Sequence, residues 1–150
     1  MKVALVTGSS RGIGKSIALE LAAAGCDVML TARDAKTLKA VADEIRAFGR
    51  RAAVYAGDLT APEEPAKLID AVTREFGRLD ILVNNAGNNK RGNFLELTEQ
   101  DWSDCFDLKF FAHVRLCRAA WPLLKAAQGS IVFIAGVSPV MASFDKGGRS

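Results

Sequence analysis

The sequence predicts an α/β fold, a parallel sheet wound on both sides by helices in three αβα layers. Two observations carry that expectation. Short, almost wholly apolar runs rich in Val, Ile and Leu alternate along the chain with longer segments of helical periodicity, and a glycine stands at most of the stops between them. Strands apolar on every residue are strands buried on both faces, which is the condition of a parallel sheet between helices. The chain has 150 residues, 49% of them hydrophobic, enough for one packed core. With no linker, repeat or low-complexity tract, residues 1–150 read as a single domain.

The elements follow in order. Lys2–Thr7 (KVALVT) is a first strand that ends in glycine, and Ile13, Ile17, Ala18 and Leu21 then recur at helical spacing up to a stop at Gly25. Val28–Ala32 is a second strand. Leu38, Val41, Ala42, Ile45 and Phe48 make one helix face, closed by Gly49, and Ala52–Ala56 is a third strand. Thr60 and Glu63 have the spacing of a capping box ahead of a helix whose apolar face is Leu68, Ile69, Val72 and Phe76, with Gly77 as its stop. Leu79–Val83 is a fourth strand. Thr98 caps a long helix reaching about Lys125, and Ile131–Ala135 is a fifth strand. The long helix carries Trp102, Phe106, Phe110, Phe111, Val114 and Leu116 on more than one side. A helix covering a sheet needs only one apolar stripe, so this one is expected to meet a partner subunit, most simply a second copy through residues 99–125, or else missing residues of the same protein; a well-covered internal helix is the alternative.

Several classes of function are disfavoured. The net charge is +3, and the basic residues are scattered, with adjacent pairs only at Arg50-Arg51 and Lys90-Arg91, so no nucleic-acid footprint is present. No apolar run approaches the ~20 residues that cross a bilayer, and the N-terminus lacks the apolar region and cleavage site of a signal peptide. Three separated cysteines, Cys26, Cys105 and Cys117, fit a reducing compartment, and the lone His113 gives no metal cluster. A soluble, cytoplasmic protein without a metal is expected.

The chemistry starts at Thr7–Gly14 (TGSSRGIG), between the first strand and the first helix. Gly8 permits a tight turn, Gly12 lets backbone approach a diphosphate, and Gly14 lets helix and strand pack closely. The free N–H groups of the helix start, around Ser10, Arg11 and Ile13, attract phosphate oxygens. This is a dinucleotide-binding arrangement, and the predicted fold is therefore Rossmann-type. At the end of the second strand, where an NAD site wants a carboxylate, stands Arg33, whose guanidinium can hold a 2′-phosphate; Arg11 adds a second cation. Asp34 either reaches the ribose or begins the next helix. The balance favours NADP(H) over NAD(H).

Taken together, these motifs resemble the short-chain dehydrogenases/reductases. TGSSRGIG is similar to that family's TGxxxGxG loop, Asp58-Leu59 to its adenine-contacting pair, and Asn84-Asn85-Ala86-Gly87 to its NNAG motif, whose second Asn, here Asn85, lies beside the cofactor along with Ala86 and Gly87. WPLLKAAQGSIVFIA, from Trp121, resembles the approach to the catalytic strand, and the likeness runs from Lys2 to about Ser138. The resemblance implies hydride transfer between a nicotinamide and a small carbonyl or alcohol substrate. It also implies a catalytic Tyr, a Lys four residues later, a Ser on the substrate oxygen, and an Asn supporting a proton relay.

The catalytic positions depart from that pattern. The family's Asn falls on Lys109 and its Ser on Gly136, with Ser138 a candidate replacement. The Tyr falls near Arg149, and the single tyrosine, Tyr55, is on the third strand. Lys109 is either an ammonium acting on a substrate oxygen or proton relay, or a surface lysine; His113, one turn on, either joins it or packs the helix. In the family two more strands flank IVFIA. The sheet is therefore expected to be incomplete at its C-terminal side, the chain to be part of a longer single-domain protein, and these 150 residues alone to lack competent catalysis. A non-catalytic NADP(H)-binding sensor or scaffold is the rival reading; a flavodoxin-like domain for another nucleotide is more remote.

Overall fold

The computed structural model describes residues 1–87, 91–135 and 141–143. Its elements, in chain order, are β1 (Val3–Thr7), α1 (Gly12–Ala23), β2 (Asp27–Ala32), α2 (Ala35–Ala47), β3 (Ala52–Ala56), α3 (Glu64–Phe76), β4 (Ile81–Asn84), β5 (Arg91–Asn93), α4 (Glu99–Phe106), a π-helical turn (Asp107–Phe111), α5 (Ala112–Ala127), β6 (Ser130–Phe133) and β7 (Met141–Ser143). Five strands form a parallel sheet in the order β3-β2-β1-β4-β6, with Leu5 level with Met29 on one side and Leu82 on the other. The chain runs outward from β1 to β3, then returns to β4 beside β1. Strand order reverses there, and the strand ends part to leave a crevice.

The three layers follow from alternation along the strands. Val3, Leu5, Met29 and Leu82 face one way and pack with Leu68 and Val72 of α3 and Leu116 and Ala120 of α5. Val6, Val28, Leu30 and Val83 face the other way, onto Ala18 and Ala22 of α1 and Leu38, Val41 and Ile45 of α2. Two apolar layers on one sheet explain why strand residues of both parities are buried. The fold expectation holds.

Some boundaries differ from the sequence reading, each for a local reason. The Thr60–Glu63 capping box is not formed: Asp58 captures the N–H and hydroxyl of Thr60 in a turn of its own, and α3 starts after Glu63 with no side-chain cap and Pro65 in its first turn. Phe48 is not on the buried face of α2; it is the residue after the helix and is 52% exposed. The fourth strand begins at Ile81, not Leu79, because Asp80 accepts from the N–H of Val3 through its side chain and so holds the strand entry. Thr98 does cap the long helix, with Asp101 completing a capping box, but the helix is interrupted by the π turn. On the fifth strand, the ladder ends at Phe133 and Ile134 N–H still bonds Asn84 O. The pair β5–β7 forms a separate two-stranded parallel sheet that hydrophobic patterning did not anticipate.

Among the described residues, no helix is long and apolar enough to cross a membrane. Much of the long helix packs inward through Cys105, Ala112, His113, Leu116, Ala120 and Leu124, yet Phe111, Val114 and Trp121 remain exposed, as does Phe133 on β6.

Candidate functional site: a cleft at the strand-order reversal

At the carboxyl ends of β1, β4 and β6 lies an open cleft of about 700 Å³. The glycine loop (Gly8, Arg11, Gly12, Ile13) lines one side, Asn85–Gly87 the floor, and Phe106, Lys109, Phe110 and His113 of the helix, with Phe133–Ala135, the other side. Three polar side chains hold its floor in shape. The hydroxyl of Thr7 accepts from the N–H groups of Asn85 (2.9 Å) and Ala86 (2.8 Å) and donates to Val83 O (3.3 Å). The Asn85 amide donates to the carbonyls of Thr7 (3.0 Å) and Gly8 (3.2 Å). Buried Ser9 bonds both the N–H and the carbonyl of Thr31, clamping the loop to β2.

The glycines fit the close approaches read from the sequence. A Cβ on Gly14 would collide with the Gly8 carbonyl oxygen and stand 2.5 Å from Asn85 Nδ2. Gly8 and Gly12 take φ of +62° and +57°, and a Cβ on Gly12 would meet nothing within 4 Å, so backbone there lies open to the cleft. Arg11 precedes α1 in extended conformation, no side chain caps the helix, and its first turn holds no acidic residue. Ser10 is half-buried beside Ser9 and is not among the residues lining the cleft.

On the β2–β3 side, Arg33 is exposed and its charge, after the two hydrogen bonds from Thr60, helps hold the Asp58 carboxyl below the usual carboxylate range. Asp34 accepts from Lys36 N–H as the N-cap of α2, so the second of its two sequence readings is the one realised. Leu59 is buried in the core, which leaves its backbone rather than its side chain for a ligand.

On the β6 side, Lys109 sits in the π turn, and its stem lies over Gly87: a Cβ there would stand 3.2 Å from Lys109 Cε and 3.3 Å from Cγ. A π turn widens the helix by one residue and recurs at functional sites. His113 is buried, and its Nε2 lies 2.9 Å from Ala86 O. A carbonyl only accepts, so the Nε2 carries the proton. Burial pushes the His113 pKa below the usual imidazole value, against the hydrogen bond to Ala86 and with the help of Lys109's charge. His113 packs the helix and also lines the cleft. Gly136 and Ser138 lie outside the described residues. Tyr55 bonds Glu64 at 2.8 Å, and its pKa is pushed up to about 12, first by burial and then by that carboxylate, so it is no proton donor near neutrality.

Sequence reasoning missed Thr7 and Ser9, whose hydroxyls lock the floor, and the aromatic wall of Phe106, Phe110 and Phe133. The first pair was masked by the glycines around it, although buried hydroxyls beside a loop must find partners. The wall is assembled from three elements, α4, the π turn and β6, and has no local pattern.

A three-layer sheet with an amide-lined cleft at its reversal point defines a nucleotide-binding α/β protein. The comparisons with known proteins narrow that class. Residues 2–146 match the family model described as short chain dehydrogenase, and the chain belongs to that family. Over 144 residues it is 40% identical to an uncharacterized oxidoreductase of Mycobacterium tuberculosis, covering 95% of this chain and 55% of that protein. Over 143 residues it is 38% identical to the 3-oxoacyl-[acyl-carrier-protein] reductase of Vibrio cholerae, covering 95% and 57%. The crystal structure of L-sorbose reductase from Gluconobacter frateurii, complexed with NADPH and L-sorbose, superposes with a TM-score of 0.86 at 36% identity, covering 91% of this chain and 52% of that one. A metagenomic short-chain oxidoreductase in complex with NADP gives 0.85 at 39% identity, covering 91% and 63%. The chain spans about half the length of the curated relatives it matches.

Proposed function

We propose that these residues are the cofactor-binding part of an NADP(H)-dependent short-chain oxidoreductase acting on a small carbonyl or alcohol substrate. The observation that carries this is the uncapped start of α1, free of acidic residues, set against a loop whose Gly14–Gly8 contact has no room for a Cβ. Backbone N–H groups there suit a diphosphate. Gly8, Ser10, Arg11, Gly12, Ile13 and Gly14 would hold it. Asn85, Ala86 and Gly87 would floor the ribose and nicotinamide, and Asp58 with the backbone of Leu59 would border the adenine. The NADP-bound relatives support the choice of phosphate, as does Asp34: a carboxylate engaged in capping α2 leaves Arg33 and Arg11 to meet the 2′-phosphate.

The chemistry a bound nicotinamide supplies is hydride donation or acceptance. This chain's own residues position it through the floor locked by Thr7, and Lys109 brings a positive charge to the end of the cleft away from Arg33, where a substrate oxygen would lie. Lys109 is the residue of the described site that replaces the family's Asn, and it supports altered rather than lost chemistry, because its side chain is laid into the cleft over Gly87. A sensor without catalysis remains the alternative only if Lys109 proves silent. Exposed Phe111, Val114 and Trp121 on the long helix support assembly into a homo-oligomer through that surface, which analytical ultracentrifugation would test.

Titration of the protein with NADPH and NADH, followed by cofactor fluorescence, tests the cofactor reading. NADPH should bind about tenfold or more tightly than NADH, and Arg33→Ala should erase most of that ratio. NADH binding tighter than NADPH by a similar factor would overturn the preference. Failure of both to bind at millimolar concentration would overturn the function.

A further inference from the structure

The end of the cleft remote from Arg33 pairs a cation with an apolar wall. Lys109 is half-buried, and Phe106, Phe110 and Phe133 line the same cleft. Among the described residues lining the cleft, the other ionisable side chains are Arg11, at the glycine loop, and His113, whose Nε2 lies on Ala86 O and whose pKa burial pushes down. Among the described residues, no carboxylate lines this cleft. Lys109 keeps contacts of its own within the protein, so the argument concerns the sign of the charge rather than an idle group.

Its position is built. The π turn carries the Lys109 backbone, the stem is threaded over Gly87, and any side chain at 87 would press on that stem at 3.2–3.8 Å. A diphosphate at the start of α1 uses backbone amides and Arg11, which leaves Lys109 as the one described cation on the helix side of the cleft. A simple ketone offers such an ammonium only a weak acceptor. A carboxylate beside the carbonyl offers a charge-assisted hydrogen bond in a partly dry setting, about twice as strong as a neutral one. Three phenylalanines lining the same cleft favour an apolar tail on the same molecule.

We infer that Lys109 selects a carbonyl substrate carrying a carboxylate next to the reacting carbon and an apolar tail, that is, a 2-oxo acid or the corresponding 2-hydroxy acid. This rests on the proposed nicotinamide function, because the dinucleotide fixes which end of the cleft receives the substrate. Lys109 is then a specificity-determining residue, and its effect appears in equilibrium binding as well as in turnover.

The experiment uses protein saturated with NADP⁺, which cannot reduce a ketone, and measures by calorimetry the binding of phenylpyruvate and of 1-phenylpropan-2-one. These two probes differ by a carboxylate against a methyl group. Phenylpyruvate should bind about tenfold or more tightly, Lys109→Met should bring the ratio to about one, and Lys109→Arg should keep most of it. Added salt should shrink the wild-type ratio. Thermal melting of each variant separates lost selectivity from lost fold, and if Lys109→Met does not fold, Lys109→Arg and the salt series carry the test. Equal binding of the two probes, or a ratio unchanged in Lys109→Met, would overturn the inference while the cofactor reading stands. Failure of the dinucleotide itself to bind would end both.

Discussion

At Thr7 a single hydroxyl serves three backbone groups, accepting from Asn85 and Ala86 and donating to Val83. Thr7→Val keeps the shape and strands two N–H groups around a fully buried atom. The expected loss is about 2–4 kcal/mol in urea denaturation, with weaker dinucleotide binding. Two glycines of the loop should behave differently under the same change to alanine. At Gly14 the new methyl meets Gly8 O and the Asn85 amide, costing about 2–3 kcal/mol, whereas at Gly12 it meets open space and only the positive φ is penalised, about 1 kcal/mol. Gly12→Ala should nevertheless hurt NADPH binding as much as Gly14→Ala does, because its methyl occupies the approach to the cofactor. His113 gives a pH signature. Its folded pKa lies below the unfolded value of about 6.5, so its neutral form stabilises the fold fully above that pH. Stability is lost as pH falls through about 6.5 toward the lower folded value. Denaturation midpoints between about pH 7.5 and 5 should show this slope in the wild type and lack it in His113→Gln.

Among the elements, β1 to β3 were legible in the sequence almost to the residue, because a strand buried on both faces needs an apolar side chain at every position and Val3–Thr7 and Asp27–Ala32 nearly supply it. Where polar side chains compete for backbone groups, the reading failed: Asp58 took Thr60 from its expected cap, and Asp80 took the place of a ladder bond at the start of β4. The π turn was illegible, since a change of hydrogen-bond register within a helix leaves hydrophobic spacing nearly intact. Of the candidate site, the Gly8–Gly14 loop and Asn85–Gly87 were readable as motifs. The Lys109–Gly87 contact was not, because only the fold brings residues 22 positions apart together. Asp80 also sets a stability limit at the element scale. Buried, it accepts from Val3 N–H at 2.8 Å and from Arg78 at 2.7 and 3.0 Å, tying β4 to the start of β1. Arg78 first, and then the Val3 N–H, hold its carboxyl below the usual range against the opposing effect of burial. Its contribution is therefore present above the unfolded carboxylate value of about 3.9 and is lost as pH falls below it. Asp80→Asn should lower stability at pH 7 and flatten the acid limb of the stability curve; an unchanged limb would show that other carboxylates set it.

For the whole molecule, the strand order places the Gly8–Gly14 loop and the Asn85–Gly87 floor in different halves of the sheet, joined at the β1–β4 pairing, the Thr7 hydroxyl and the Asn85 amide. A dinucleotide lying across that reversal would touch both halves at once, and a ligand bound only by the folded state stabilises it by mass action. At about a hundredfold excess over Kd the gain is about 2.7 kcal/mol. How that gain is distributed is the sharper test. The loops ending in Gly25, Gly49 and Gly77 lie at the opposite ends of the strands, where no residue of the cleft is found. Local opening differs across a fold, and amides near a ligand gain the most from it. Hydrogen exchange with and without NADPH should therefore show new protection at Gly8–Gly14, Thr31–Arg33 and Asn85–Gly87, through the Ser9–Thr31 and Thr7–Ala86 links, and little change at the three far loops. In Thr7→Val the protection should persist at Gly8–Gly14 and weaken at Asn85–Gly87, because the hydroxyl links from Thr7 to Asn85 and Ala86 are gone and only the Asn85 amide bonds among the described ones still tie the two segments. Uniform protection of all these segments would mean that the ligand stabilises the fold as a unit, and the two-sided cleft would not be its seat.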